Sequence, residues 1–262
     1  MKERLDVLLV NNGFAESREK AKRTIMAGLV MVNGRLEDKP GSTFDVESEI
    51  TVKGKECPYV SRGGLKLEKA IKEWGVDCEG KHCIDMGAST GGFTDCMLQH
   101  GAQKVYAIDV GYGQLAYKLR EDPRVINLEK TNIRYLDLDL IEEPIDLISI
   151  DVSFISVKHM LPVAAAVMAP GAKILCLVKP QFEAGKEQVG KGGIVRDPAV
   201  HREVIENVIS YAESSNLYPC ELTFSPIKGT KGNIEYLLLL SNEKCDNKLD
   251  IDSVVNASHK DL

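Results

Sequence analysis

The stretch HCIDMGASTGGFTDCML, residues 82–98, runs from a short apolar segment through a turn holding Gly87, Gly91 and Gly92 into a segment that opens near Phe93. A strand that ends in glycines and gives way to a helix is the first unit of an α/β sheet. Glycines let a ligand approach the backbone closely, and the start of a helix offers N–H groups without intrahelical partners. A nucleotide-like ligand is expected there, within reach of Asp85, Gly87, Ser89, Gly91, Gly92 and Phe93. Ser89 stands where a dinucleotide-binding loop has its second glycine, which disfavours a pyrophosphate ligand. The same residues match the G-x-S-x-G nucleophile elbow of serine hydrolases. That reading is disfavoured, because the loop follows the first strand of the sheet, His201 falls inside a helix and His259 in the tail.

Further apolar strands alternate with helices downstream: KVYAIDV (104–110), RVINL (124–128), IDLISI (145–150) and AKILCLV (172–178). Such alternation predicts a doubly wound, Rossmann-like and mostly parallel sheet. Leu217 to Phe224 and Ile234 to Leu240 follow a helix near 198–215 with no crossover helix between them, which predicts an antiparallel hairpin at one edge. After Asn242 the sequence is polar, and residues 243–262 are expected to form a frayed tail.

Asp109 closes the second strand about twenty residues after the glycine loop, where a carboxylate accepts hydrogen bonds from ribose hydroxyls. S-adenosylmethionine needs a glycine loop for its amino-acid end, a carboxylate for its ribose and a polar group near its adenine. Gly87, Gly91, Asp109 and Asn132 supply these in order, with Asp151 at the end of the next strand. Alone, Asn132 would be a turn residue.

Lys66, Asp151, Lys179 and Glu235 lie at strand ends or on the helix that opens this region. Lys179 ends an apolar strand beside the ligand crevice, where burial would disfavour its charged form. Singly, each has a bland reading: Lys179 a lysine at a sheet edge, Glu235 an edge-strand charge, Asp151 a helix cap. Together they suit deprotonation and alignment of a ribose hydroxyl, with Lys179 as base, Asp151 and Glu235 orienting it and Lys66 steadying the developing oxyanion. DVSF (151–154) lacks the prolines of the Asn/Asp-Pro-Pro-aromatic run usual in enzymes that methylate base nitrogens.

Residues 1–56 read as a separate small α+β domain. Ser17 can cap a helix that Gly28 stops, and VMVNGRL (30–36) alternates about Asn33-Gly34, a hairpin signal. Arg4, Arg18, Lys22 and Arg23 give this part a local basic excess. KECPYVSRGG (55–64) reads as the connection, with 57–64 a linker that contributes Arg62, and 65–242 as the larger domain.

The chain has 262 residues, 44% of them hydrophobic and 27% charged, which suits one full domain and a small one. The net charge of −6 argues against nucleic-acid binding over the whole surface but not through a local patch. Residues 1–10, MKERLDVLLV, lack the layout of a signal peptide, and no apolar run is long enough to cross a bilayer; a cytoplasmic protein is expected. The seven cysteines show no paired metal-site spacing, so they are expected to be reduced and structural, with no metal bound.

RLDVLLVNNGFAESREKAKRTIMAGLVMVNG resembles the αL RNA-binding fold of a small-subunit ribosomal protein, some pseudouridine synthases and tyrosyl-tRNA synthetases. SRGGLKL, DMGASTGGFTDCML, IDVGYGQLAYKLR, LISIDVSFIS, LVKPQFEAGKEQVGKGGIVRDP and GNIEYLLLL together resemble the TlyA (hemolysin A) family, whose catalytic domain is FtsJ-like. That resemblance implies methylation of ribose 2′-hydroxyls of cytidine in ribosomal RNA or ribosomal subunits. It carries over Lys66, Asp151, Lys179 and Glu235 as a complete catalytic tetrad. A membrane-damaging protein, which the older family label suggests, or a binding-only RNA chaperone are the alternatives, and the intact tetrad counts against the second.

Overall fold

The computed structural model describes residues 2–52 and 57–262 and divides into two units, Met1–Gly64 and Leu65–Leu262. The expected boundary at residue 56 lies outside the described residues. Cys57, Tyr59 and Val60 of the expected linker are buried, so that segment is packed rather than an exposed tether.

In the first unit β1 (Lys2–Arg4) leads into α1 (Leu5–Asn11) and α2 (Arg18–Met26), followed by β2 (Val30–Val32), β3 (Arg35–Glu37), β4 (Thr43–Asp45) and β5 (Ile50–Val52). The Ser17 Oγ accepts from the Lys20 N–H at 3.3 Å and so starts α2. Asn33 and Gly34 both have positive φ, the conformation that a two-residue hairpin matched to strand twist requires. Strands pair antiparallel in the order β3-β2-β5, with β1 and β4 as a second pair. Leu5, Leu8, Leu9, Ala21, Ile25 and Val30 form the centre of its core.

The second unit opens with α3 (Gly64–Trp74) and continues β6 (His82–Met86), α4 (Gly92–Gln99), β7 (Lys104–Ile108), α5 (Tyr117–Arg120), β8 (Val125–Leu128) and β9 (Ile145–Ile150). It then runs α6 (Leu161–Val167), β10 (Met168–Val178), α7 (Pro180–Glu183), α8 (Pro198–Glu213), β11 (Tyr218–Phe224), β12 (Tyr236–Ser241) and α9 (Ile251–Asp261). The sheet order is β11-β12-β10-β9-β6-β7-β8. β8, β7, β6, β9 and β10 are parallel, and β12 and β11 close the edge antiparallel, as the strand pattern predicts. Strand order reverses between β6 and β9, which opens a crevice at their carboxyl ends.

Two expectations fail here. The segment after Asn242 is not frayed: α9 buries Val255 and Ser258, and Leu249, Ile251 and Val254 pack on the main core. The Ser258 hydroxyl lies 3.0 Å from the Tyr236 hydroxyl, which meets His201 Nδ1 at 2.7 Å. The cysteines are also not all reduced, because Cys220 on β11 and Cys245 form a disulfide across 25 residues that ties the start of this segment to the sheet edge. Cys57, Cys78, Cys83, Cys96 and Cys176 are free and buried.

Candidate active site

Four chain segments converge at the carboxyl ends of the parallel strands. β9 and β10 run parallel and end in Asp151 and Lys179. β12 runs the other way, with Tyr236 opposite Val178, so its beginning rather than its end lies at this edge and Glu235 faces the same crevice. Lys66 comes from the first turn of α3.

The Lys66 Nζ donates to Glu235 Oε2 at 2.7 Å and lies 3.9 Å from Asp151 Oδ2. Lys179 pairs with Asp151 Oδ1 and also donates to the Val152 carbonyl at 3.0 Å and the Ser153 Oγ at 3.2 Å. Lys66, Lys179 and Glu235 are buried, and Asp151 is partly open. Burial pushes the Asp151 carboxyl up, but the charges of Lys66 and Lys179 outweigh it and hold the group below the ordinary carboxylate range. The four residues expected to act together are thus one network. Buried charges are tolerated when paired in this way.

The glycine loop lies directly against that network. Gly87 has φ +88°, and a Cβ there would stand 2.7 Å from the Asp151 carbonyl oxygen. Its N–H donates to the Ile108 carbonyl at 2.8 Å, and Asp151 N–H to the Met86 carbonyl at 2.9 Å. Gly91, at φ +93°, precedes α4 beneath Leu115 and Leu119, and Gly92 and Phe93 are buried in its first turn. Ser89 is exposed on the loop, also at positive φ. Its hydroxyl faces Gln114 at 3.5 Å, whereas His201 is buried against Tyr236, so these residues do not assemble a hydrolase triad.

Asp109 bridges the two loops that frame the crevice, accepting from Ser89 N–H at 2.8 Å and Gly111 N–H at 2.7 Å. Asn132 is exposed and caps a short turn by accepting from Arg134 N–H at 3.2 Å, the bland role of a turn residue. Asp85 needs correction as a ligand contact. It is 1% exposed, with Oδ2 accepting from the Thr94 N–H (3.0 Å) and hydroxyl (2.7 Å) and Oδ1 from the Ser149 hydroxyl (2.9 Å). Its carboxylate holds the loop from beneath.

Several residues that the sequence reading missed complete the site. Glu129 accepts from the N–H groups of Gln114 (2.8 Å) and Leu115 (3.3 Å) and shapes the loop after β7; burial opposes its ionisation, but these bonds hold its carboxyl at about 2. Gln181 donates to Glu235 Oε1 at 3.2 Å. Asn233, two residues before Glu235, accepts from Val195 N–H at 3.2 Å and donates to the Gly193 carbonyl at 2.9 Å, fixing the loop after α7. Phe154 is 91% exposed at φ +64° and its ring lies 5.0 Å from that of Phe182. A cavity of about 230 Å³ lined by Ser153, Phe154, Lys179, Phe182, Lys231 and Glu235 opens beside the tetrad.

In the first unit, Arg4 and Arg18 both bond Asp6, and Lys22 pairs with Glu19 at 2.8 Å. The Arg62 guanidinium lies over Gly28, 2.9 Å from where a Cβ would stand. No helix of the described residues is long and apolar enough to cross a membrane.

The arrangement matches known proteins along nearly its whole length. Residues 59–242 match the FtsJ-like methyltransferase model and residues 3–50 the S4 domain model. A Bacillus subtilis (strain 168) relative is 56% identical over 241 residues, covering 91% of this chain and 85% of its own. The 16S/23S rRNA (cytidine-2'-O)-methyltransferase TlyA of Mycobacterium tuberculosis is 41% identical over 258 residues, covering 98% of this chain and 96% of its own. A solved structure from Streptococcus thermophilus superposes with a TM-score of 0.79 at 48% identity, covering 99% of this chain and 96% of that one. With a glycine loop, the Asp109 carboxylate bridging the loops at the crevice and four paired ionisable groups beside it, and with these relatives, the chain belongs to the FtsJ-like methyltransferase family, in its TlyA group, with an S4 domain ahead of the catalytic one.

Proposed function

We propose that this enzyme methylates the 2′-hydroxyl of a cytidine in ribosomal RNA, free or in a subunit, within the cytoplasm. The observation that carries the reading is the paired tetrad at the carboxyl ends of β9 and β10, with Lys179 held between Asp151 and the Val152 carbonyl. The resemblance to a cytidine-2'-O-methyltransferase over 98% of the chain supports the substrate.

S-adenosylmethionine, when bound, supplies an already activated methyl on a cationic sulfur. The residues present fit it: the Gly87–Gly91 loop, where a Cβ at Gly87 would meet the Asp151 backbone, would hold its amino-acid end, Asp109 its ribose and Asn132 its adenine. What the protein adds is positioning and proton transfer. Lys179 is the group placed to take the ribose hydroxyl proton, and Asp151, its ion-pair partner, offsets positive charge on it. Lys66, fixed by Glu235, stabilises the oxyanion as it develops. Phe154 and Phe182 give the neighbouring cavity an aromatic wall on which an unstacked pyrimidine can rest. A ribose hydroxyl carries no base identity, so the S4 unit is assigned to selecting the RNA through Arg4, Arg18, Lys22, Arg23 and Arg62.

The test maps 2′-O-methylation on ribosomal RNA incubated with cofactor and either wild type or Lys179→Met. Wild type should add a methyl at a cytidine, and the variant should not while still binding the cofactor in calorimetry. Methyl transfer at a wild-type rate by Lys179→Met would remove the base; wild-type protein that binds RNA but transfers no methyl would favour the binding-only reading.

A further inference from the structure

We propose that Arg4 and Arg18 form one fork for a single phosphodiester of folded RNA and that Asp6 is the residue that positions it. The proposal rests on the RNA-binding role of the S4 unit and adds its geometry. Arg4 approaches Asp6 with two donors, Nε to Oδ1 at 2.9 Å and Nη2 to Oδ2 at 3.2 Å. Arg18 Nη2 reaches the same Oδ2 at 2.9 Å. Two guanidiniums, one from the end of β1 and one from the start of α2, therefore meet on one oxygen atom.

The burial is one-sided. The Asp6 side chain is 0% exposed, whereas those of Arg4 and Arg18 are 49% and 55% exposed. A buried carboxylate is a poor way to stabilise a small domain, since an apolar residue of similar volume does as well or better. What it does provide is direction. Each guanidinium carries five donors in a rigid plane, and these bonds use two on Arg4 and one on Arg18, which leaves edges of both planes open to water. Hydrogen bonding from Arg4 and Arg18 outweighs burial and keeps the Asp6 carboxyl at about 2, so it stays ionised. Two positive groups and one negative group leave one net charge, the complement of one phosphodiester. Lys22 differs, since its partner Glu19 is itself exposed and such a pair orders little.

The experiment measures binding of full-length protein to a ribosomal RNA transcript at several salt concentrations, with cofactor affinity and thermal melting as controls of folding. Arg18→Lys keeps the charge but loses the planar fork, and should bind as weakly as Arg18→Ala, about tenfold below wild type. Asp6→Asn adds a positive charge, yet should weaken binding because the fork loses its anchor. The double variant Arg4→Ala/Arg18→Ala should flatten the slope of log affinity against log salt by about one unit, as for one phosphate. Arg18→Lys at wild-type affinity, tighter binding by Asp6→Asn, or a slope change of about two would each overturn the fork while leaving RNA binding by the unit intact. Should Asp6→Asn not fold, Arg18→Lys decides alone. Failure of the wild type to bind the transcript would overturn the underlying reading, and the fork with it.

Discussion

Lys66 and Glu235 are 169 residues apart in sequence and 2.7 Å apart in space, both buried. Removing one partner leaves an uncompensated buried charge, which costs about 3–5 kcal/mol, whereas replacing both by apolar groups costs much less. Glu235→Gln and Lys66→Met should each lower the melting temperature, and Lys66→Met/Glu235→Leu should lower it less than the sum of the two single changes. Methyl transfer should fall by roughly a hundredfold or more in all three variants, with cofactor affinity little changed. Additive melting shifts would show that the pair is not coupled, and near-normal single-turnover rates would take it out of the mechanism.

Gly87 separates steric from conformational demands. Its positive φ alone costs an L-residue about 1–2 kcal/mol, and a Cβ 2.7 Å from the Asp151 backbone oxygen adds a clash that no side-chain rotation relieves. Gly87→Ala should therefore displace the cofactor loop and Asp151 together, with loss of cofactor binding in calorimetry. Gly75→Ala is the control, because φ is also positive there, +63°, with nothing within 4 Å. Equal effects at the two sites would mean that the contact with Asp151 is immaterial.

Asp85 gives a pH dependence with a definite sign. Burial raises its carboxyl to about 6, only partly opposed by hydrogen bonds from Thr94 and Ser149. A carboxyl whose folded value exceeds its unfolded value stabilises the fold below the unfolded value of about 4 and loses that contribution as pH rises through about 6. Asp85→Asn stays neutral throughout, so its melting temperature relative to wild type should rise between about pH 5 and about pH 7.5. A constant difference across that range would contradict the raised value.

Glu183 holds the loop that carries Phe154. Its Oε1 accepts from Val157 N–H at 2.8 Å and its Oε2 from the Ser156 hydroxyl at 2.6 Å, while Phe182 beside it meets Phe154. Glu183→Ala should release that loop and raise the KM for RNA roughly tenfold with little change in cofactor affinity, and Glu183→Gln should recover most of the loss because it can still bond both groups. Equal behaviour of the two variants would show that these bonds do not position the loop.

Much of the second unit is legible because its strands are buried on both faces and read as unbroken apolar runs. β6 at His82–Met86 and β9 at Ile145–Ile150 coincide with the expected segments. α9 was missed although Ile251, Val254, Val255 and Ser258 share one helical face, because the short polar residues between them mask the period. The direction of Asp85 was equally hidden, since it depends on Ser149, 64 residues away. The spacing of Cys220 and Cys245 names no partner, and only the fold brings them together. Of the site, residue types at strand ends gave the candidates and family resemblance gave the tetrad. Phe154, Asn233 and Glu129 act through geometry that leaves no mark in the sequence.

The antiparallel edge also sets an order of assembly as the chain leaves the ribosome. β12 inserts between β10 and β11, both made before it, so β11 has no neighbour in the sheet until the later strand arrives. The glycine loop and Asp109 exist long before Glu235 is synthesised, and until then Lys66 lacks its carboxylate. In a growing chain the cofactor loop is therefore complete in sequence well before the carboxylate that completes the tetrad.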